Sequence, residues 1–182
     1  MKEEINVLDY ANEILQGLSQ GVLLTTKNGE KINTMTIAWG MLGIEWDRPV
    51  FIALVRQSRY THEILDKNQE FTISIPFGEI KKEITNFCGR HTGRNTDKLE
   101  ELGLTLEEAM ETGVPGIKEL PLTLECRVKY SQDQDLSRIP EDIRKRAYPE
   151  NVKAGTSFGS DATAHTAYYG EIVRAYIIRE DQ

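Results

Sequence analysis

Residues 33–61 hold two strand-like runs on either side of a tight corner, followed by a second corner that is polar. The second run comprises five apolar residues at 50–54 and then Val55, and it is bounded by Pro49. A short, continuously apolar run next to a proline is typical of a strand in the protein interior. The polar corner therefore begins where a buried strand ends.

Four polar side chains, Arg56, Ser58, Arg59 and Thr61, crowd into this corner. The pattern at residues 60–67 predicts a short helix, whose first N–H groups lack partners within the helix and attract negative charge. Arginine adds a planar fork that matches phosphate oxygens. The corner fits a phosphate, but a helix cap by Ser58 or Thr61 beside two surface arginines fits the same pattern.

The rest of the chain alternates between strand-like and helix-like patterns. Apolar residues at three- and four-residue steps predict an amphipathic helix within the first twenty residues. Asn28-Gly29 predicts a hairpin turn with positive φ at both positions, between strands at 22–26 and 31–39. Further predicted strands are 70–75, 120–130 and 166–179, and further helices are 79–87 and 140–147. Residues 88–98 read as a polar loop, 104–116 are ambiguous, and 131–163 form an irregular excursion.

Length and composition indicate one domain over residues 1–182. A net charge of −7 argues against a surface that binds nucleic acid or an anionic membrane. The first residues lack the apolar core of a secretory signal, and no apolar run is long enough to span a bilayer. Cys88 and Cys126 have no framework spacing, so we expect reduced thiols in a cytoplasmic protein.

The motifs of self-contained catalysis are missing from the sequence, which has no G-x-S-x-G, H-E-x-x-H, P-loop or G-x-G-x-x-G. His62, His91 and His165 are scattered, and the pair Cys88 and His91 lacks the companion ligands of a zinc site, so we expect no metal. A bound redox cofactor needs no resident triad, because the protein supplies only grip, orientation and electronic tuning. A phosphate-binding corner without a triad is consistent with such a protein.

Four motifs follow one another along the chain: N-x-M-T-I-A-W at 33–39, R-x-S-R-Y-T-H-E-I at 56–64, E-F-T-I-S-I-P at 70–76 and H-x-x-Y-x-G-E at 165–171. Together they resemble the flavin reductase-like family, and its flavoredoxin branch in particular. The resemblance implies a mainly β (α+β) fold, namely an FMN-binding split β-barrel with a few short peripheral helices. It also implies a homodimer, with the flavin in a groove near the subunit interface.

The resemblance assigns roles to individual residues of this chain. The residues implied to hold the FMN phosphate are Arg56, Ser58, Arg59 and Thr61, and Tyr60 between them is implied to bind the cofactor. The residues implied to run beside the flavin ring are Asn33, Thr34, Met35 and Thr36. Trp39 packs near the isoalloxazine or, equally well, fills the core.

Two other stretches resemble the family's flavin-contacting positions. Cys88 and Gly89 precede Lys98, whose ammonium would stabilise a reduced anionic flavin, although a lysine on a solvated loop is the alternative. The loop at 91–94 departs from the family's commoner version. His165 is the catalytic candidate, which would steer a nicotinamide or supply a proton, with Tyr168 near it on the substrate side. A structural histidine explains the sequence as well.

These expectations favour an oxidoreductase in which NADH or NADPH gives a hydride to bound FMN, which then passes electrons to an acceptor. One alternative is a flavoredoxin-type electron carrier that is reduced by a partner protein and has no NAD(P)H activity of its own. A second alternative is a non-redox module that uses the same corner for another phosphorylated ligand.

Overall fold

The computed structural model describes residues 1–77, 82–152 and 161–179. Within them the strands are β1 Lys2–Glu4, β2 Val22–Asn28, β3 Lys31–Ile37, β4 Gly40–Glu45, β5 Arg48–Arg56, β6 Glu70–Ile75, β7 Leu106–Glu107, β8 Gly116–Ile117, β9 Leu122–Asp133 and β10 His165–Ile178. The helices are α1 Ala11–Gln20, α2 Tyr60–Leu65, α3 Lys82–Arg90, α4 Lys98–Leu102 and α5 Glu141–Ala147. Short 3-10 turns occupy Val7–Tyr10 and Leu136–Arg138.

The main sheet runs in the order β3-β2-β6-β9-β10-β5-β4, with β1 added beside the end of β10. Its two edges, β3 and β4, are separated in the chain only by Ala38 and Trp39. So short a link spans about 11 Å at most. The sheet must therefore curl until its edges nearly meet, which gives a barrel that is split between β3 and β4. This confirms the prediction of a mainly β split barrel with a few short helices.

The barrel interior is filled by large side chains from its central strands. Phe51 of β5, Phe71 of β6 and Tyr168 of β10 are fully buried. Helix α1 packs against the same core through Ile14 and Leu18. Burying one such aliphatic or aromatic side chain contributes about 1.5–3 kcal/mol. The strands are therefore a rigid base for the loops and strand ends around the split.

Strand β4 is an element that the sequence did not predict. The strand expected to continue to residue 39 ends at Ile37, and the chain returns as the β4–β5 hairpin. The turn of that hairpin is Trp46-Asp47, with φ of 53° and 59°. Positive φ at both positions favours asparagine and glycine, and this pair contains neither, so the usual turn signal was missing.

The hairpin predicted at Asn28-Gly29 is confirmed, but its turn is shifted by one residue. Asn28 pairs with Lys31, so the turn consists of Gly29 and Glu30. Gly29 has a φ of 58°, whereas Asn28 and Glu30 do not have positive φ. The expectation of positive φ at both Asn28 and Gly29 was therefore wrong.

Several element boundaries also differ from the prediction. Helix α3 continues to Arg90, so Cys88 and Gly89 are helical and not part of the polar loop, while the predicted start of this helix at 79–81 lies outside the described residues. Strand β9 runs to Asp133, into the predicted excursion, where α5 confirms the short helix. Across the described ranges, no helix has the length and apolar character needed to cross a membrane.

Candidate functional site

A cleft of about 220 Å³ opens beside the short link between β3 and β4. Its lining residues are Met35, Thr36, Ile37, Ala38, Trp39, Leu54, Arg56, Arg59, Gly89 and His165. Most of them were predicted from the sequence, but Ile37, Ala38 and Leu54 were not. Ile37 and Ala38 lie inside the motif at 33–39, and Leu54 shares a strand face with Arg56, so strand periodicity was the signal that could have found them.

Arg56 lines the cleft, but its guanidinium donates hydrogen bonds to the protein itself. Its Nη1 donates to the carbonyl oxygens of Asp161 at 2.9 Å and Thr163 at 2.8 Å, and its Nη2 donates to that of Ala147 at 2.7 Å. The guanidinium also lies 5.0 Å from the centre of the Tyr148 ring. Burial lowers the pKa of Arg56 from its ordinary value. This arginine fastens the end of the 131–163 excursion to the end of β5.

A buried carboxylate, that of Asp161, occupies the predicted phosphate corner. Its Oδ2 accepts a hydrogen bond from Ser58 Oγ at 2.8 Å, and its Oδ1 lies 3.7 Å from Arg56 Nη1. Asp161 is fully buried and also accepts from the backbone N–H of Thr163. Two of the predicted phosphate ligands, Ser58 and Arg56, therefore point to an internal anion. Sequence reasoning missed Asp161, because it lies more than a hundred residues further along the chain.

Arg59 is the arginine of the corner that remains half-buried at the cleft wall. It is the N-cap residue of α2 and makes no side-chain cap hydrogen bond, so neither Ser58 nor Thr61 caps this helix. Thr61 is buried, and its Oγ1 accepts a hydrogen bond from Asn33 Nδ2 at 2.7 Å. That bond joins α2 to β3, so Asn33 and Thr61 fix the position of the corner without lining the cleft.

Tyr60 faces a different part of the surface. Its ring centre lies 5.1 Å from Lys31 Nζ and 5.0 Å from Arg94 Cζ. A second cavity of about 400 Å³ adjoins these two cations and is lined also by Glu30 and Asp97, so its charges balance. None of the predicted site residues lines that cavity. Tyr60 is therefore placed beside the second cavity and not in the cleft.

Lys98 is buried between β3 and α3, which excludes the solvated-loop alternative. Its Nζ donates to the carbonyl oxygens of Thr34 at 2.6 Å and Cys88 at 3.2 Å. Burial lowers the pKa of Lys98 to about 8 and raises the pKa of the Cys88 thiol to about 11. Cys88 is therefore a protonated thiol at neutral pH. In the part of the chain that is described, no cluster of three metal-ligating side chains occurs.

His165 lies in the cleft wall with its ring centre 5.1 Å from that of Trp39. Its Nδ1 is 3.0 Å from the hydroxyl of Tyr148. Burial, followed by the nearby charge of Arg56, lowers the pKa of His165 to about 3. The imidazole is neutral at neutral pH, so the arrangement is compatible with steering a ligand but not with supplying a proton from an imidazolium. Trp39 is 44% exposed and lines the cleft, so it is not a core aromatic.

Tyr168 is not brought to the cleft. It follows His165 by three residues on β10, and an odd spacing along a strand puts two side chains on opposite faces. Tyr168 is fully buried in the barrel, where its hydroxyl donates to Asp66 Oδ1 at 2.7 Å. The predicted ligand contact of Tyr168 therefore disagrees with its position on the far face of the strand.

The cleft combines three features that suit a planar ligand with an anionic tail. Its floor is formed by β3, an edge strand, whose alternate backbone N–H and C=O groups face away from the sheet. Trp39 and His165 supply aromatic surfaces, and Arg59 supplies positive charge in the lining. A flat ring with a polar edge and a phosphate matches this set of groups.

Comparisons with known proteins identify the family of the chain. A family model described as the flavin reductase like domain matches residues 15–182. An uncharacterized protein of Archaeoglobus fulgidus is 32% identical over 126 residues, covering 69% of this chain and 67% of that protein. The chain spans 57–67% of the length of three curated relatives that it matches.

Solved structures share the fold. The flavoredoxin of Desulfovibrio vulgaris (Miyazaki F) has a TM-score of 0.64 at 21% identity, over 87% of this chain and 69% of that one. The FMN-binding domain of a flavin reductases-like enzyme from Shewanella baltica has a TM-score of 0.66 at 16% identity, over 97% and 77% of the two chains. Both likenesses support the split-barrel architecture.

Proposed function

Because the chain belongs to the flavin reductase-like family, we propose that it binds FMN in the cleft and works as an NAD(P)H-dependent oxidoreductase. A flavin held there would supply the hydride and electron transfer between a reduced nicotinamide and an acceptor. The observation that carries the proposal is that one cleft gathers residues from the motifs at 33–39, 56–64 and 165–171. These motifs are far apart in sequence, and a shared ligand site explains why residues from all three line one cleft.

Different residues of the chain contact different parts of the cofactor. Arg59 binds the phosphate through charge-assisted hydrogen bonds. The backbone of β3 at Met35 and Thr36 meets the polar edge of the ring, and Trp39 covers one side of the cleft. Lys98 holds the Thr34 carbonyl in place and lies close enough to β3 to favour a negative charge on the ring. Arg56, Ser58 and Asp161 keep the corner in shape.

A homodimer is also proposed, through the outer face of the barrel beside the cleft. Tyr130, Tyr169, Ile52 and Met41 lie opposite one another across β9, β10, β5 and β4, so they form one row on one face. Tyr130 is 45% exposed and Met41 47% exposed. Leu54, two residues from Ile52 on the same face, lines the cleft. A second copy on this row would cover the apolar surface and border the cofactor site.

The test is the visible absorption spectrum of the purified protein, reconstituted with FMN and then mixed anaerobically with NADH or NADPH. Bleaching of the flavin band near about 450 nm by either nucleotide supports the oxidoreductase. A band that survives both nucleotides but is bleached by a protein donor supports the electron-carrier alternative. The likeness to the fold of a flavoredoxin is the observation that favours this alternative. Failure to retain FMN or any other flavin overturns the proposal.

A further inference from the structure

A chain of three hydrogen-bonding groups leads from the surface to the cleft. The hydroxyl of Tyr148, which is itself buried, lies 2.8 Å from Gln134 Oε1 and 3.0 Å from His165 Nδ1. A hydroxyl has a single proton, and an amide oxygen can only accept. With the Gln134 amide oxygen turned towards the hydroxyl, as the structure places it, Tyr148 donates to Gln134, and the bond between Tyr148 and His165 uses a proton on Nδ1.

That assignment fixes the other ring nitrogen. A neutral imidazole carries one proton, so a proton on Nδ1 leaves Nε2 with a lone pair. His165 is neutral because it is buried beside Arg56, with Arg59 and Asp161 as the other charged neighbours. In the described ranges no hydrogen bond reaches Nε2, and the buried side-chain atoms without a partner are those of Thr123 and Tyr176. Nε2 is therefore accessible from the cleft that His165 lines.

The neighbours of His165 are held firmly enough to maintain this arrangement. Arg56 donates to the carbonyl of Ala147 and stacks on the Tyr148 ring, so Tyr148 is fixed from two sides. The backbone N–H of Gln134 donates to the carbonyl of His165 at 2.9 Å. Tyr148 and Gln134 both belong to the 131–163 excursion, so the described part of this segment reaches the site.

We propose that Tyr148 and Gln134 are positioning residues that hold His165 as a hydrogen-bond acceptor, with Nε2 open to the cleft. The cleft then selects a ligand group that donates an N–H or O–H at this point, such as a primary carboxamide or an alcohol. The identity of that ligand rests on the proposed function, but the state of the imidazole does not. A ligand that presents only acceptors would face the lone pair of Nε2 and bind less well.

The direct test is the two-bond ¹H–¹⁵N spectrum of the histidine side chains in the full-length protein at neutral pH, with His165→Gln used to identify the signals. The expected wild-type spectrum shows a protonated Nδ1 and a bare Nε2. In Gln134→Leu, the Tyr148 hydroxyl loses its acceptor and donates to Nδ1, so the proton moves to Nε2. Gln132→Leu, an exposed site two residues earlier, is the matched control and keeps the wild-type pattern.

A wild-type Nε2–H, or an unchanged spectrum in Gln134→Leu, would overturn the proposal. Tyr148→Phe is the second variant, because it removes the hydroxyl with little change of volume and abolishes the preference for Nδ1. In the NADH oxidation assay, Gln134→Leu should raise KM by about tenfold with little change in kcat, as expected for one lost hydrogen bond. If neither NADH nor NADPH is oxidised, the proposed function fails, while the spectrum still decides the state of His165.

Discussion

Two arginines three residues apart perform different tasks in this corner. Arg56 is satisfied by three carbonyl oxygens and a buried carboxylate, whereas Arg59 lies at the cleft wall. We expect Arg59→Ala to weaken FMN binding by about 10- to 100-fold, since a charge-assisted hydrogen bond contributes about 1.5–3 kcal/mol. Riboflavin, which lacks the phosphate, should bind the variant and the wild type alike.

Flavin fluorescence quenching measures both affinities. Arg48→Ala is a suitable control, because Arg48 sits at the opposite end of the same strand, β5, and is exposed. Equal loss of FMN and riboflavin in Arg59→Ala would show that the residue shapes the cleft without contacting the phosphate.

Asp161 gives the corner an internal negative charge. In Asp161→Asn, Arg56 loses its buried counter-ion, so the free energy of unfolding should fall by about 3 kcal/mol. The same change removes a charge that repels phosphate, so the ratio of FMN affinity to riboflavin affinity should rise. Urea unfolding and the two binding titrations measure these effects. An unchanged affinity ratio would mean that the phosphate lies too far from Asp161 to sense its charge.

Lys98 joins β3 to α3, and its burial makes its contribution to stability depend on pH. Burial lowers its pKa from 10.5 to about 8, so between these pH values the unfolded chain holds more protons than the folded protein. The contribution of Lys98 to stability therefore rises with pH through this window, by at most about 3 kcal/mol, while the buried Cys88 thiol, whose pKa is raised to about 11, contributes an opposing fall above about pH 9. Lys98→Met, which keeps the length of the side chain, should lack this rise. Urea unfolding of both proteins across the window tests it, and parallel curves would contradict the assignment.

The loop before α4 docks on β3 through a glycine. A Cβ on Gly93 would lie 1.8 Å from Asn33 Oδ1, so Gly93→Ala must displace the Asn33–Thr61 bond that positions the corner. We expect a loss of about 1–3 kcal/mol in unfolding free energy together with weaker FMN binding. Gly43→Ala is the matched control, because nothing lies within 4 Å of its added Cβ. Equal behaviour of the two variants in thermal unfolding would refute the docking role.

Most elements were predicted from local patterns, because a strand or an amphipathic helix places apolar residues at regular steps along the sequence. The run at 50–54 became β5, and the alternation near Cys126 became β9. Strand β4 was not predicted, because Trp46-Asp47 is an unusual pair for the turn that follows it. Tyr168 was assigned to the cleft although its three-residue spacing from His165 already placed the two on opposite faces. The contacts of Asp161 and Tyr148 depend on the fold of the whole chain, and no local pattern signals them.

The apolar row across β9, β10, β5 and β4 is the surface through which we expect the protein to form a dimer. Met41 is half-exposed on an edge strand, so Met41→Lys adds a charge to the row without disturbing the monomer core. We expect a wild-type dimer and a Met41→Lys monomer in sedimentation velocity, because an uncompensated charge in an apolar interface is costly to desolvate. Leu106→Lys, which changes another exposed apolar residue but on β7, should remain dimeric. A monomeric wild type that binds FMN fully would show that one copy completes the site by itself.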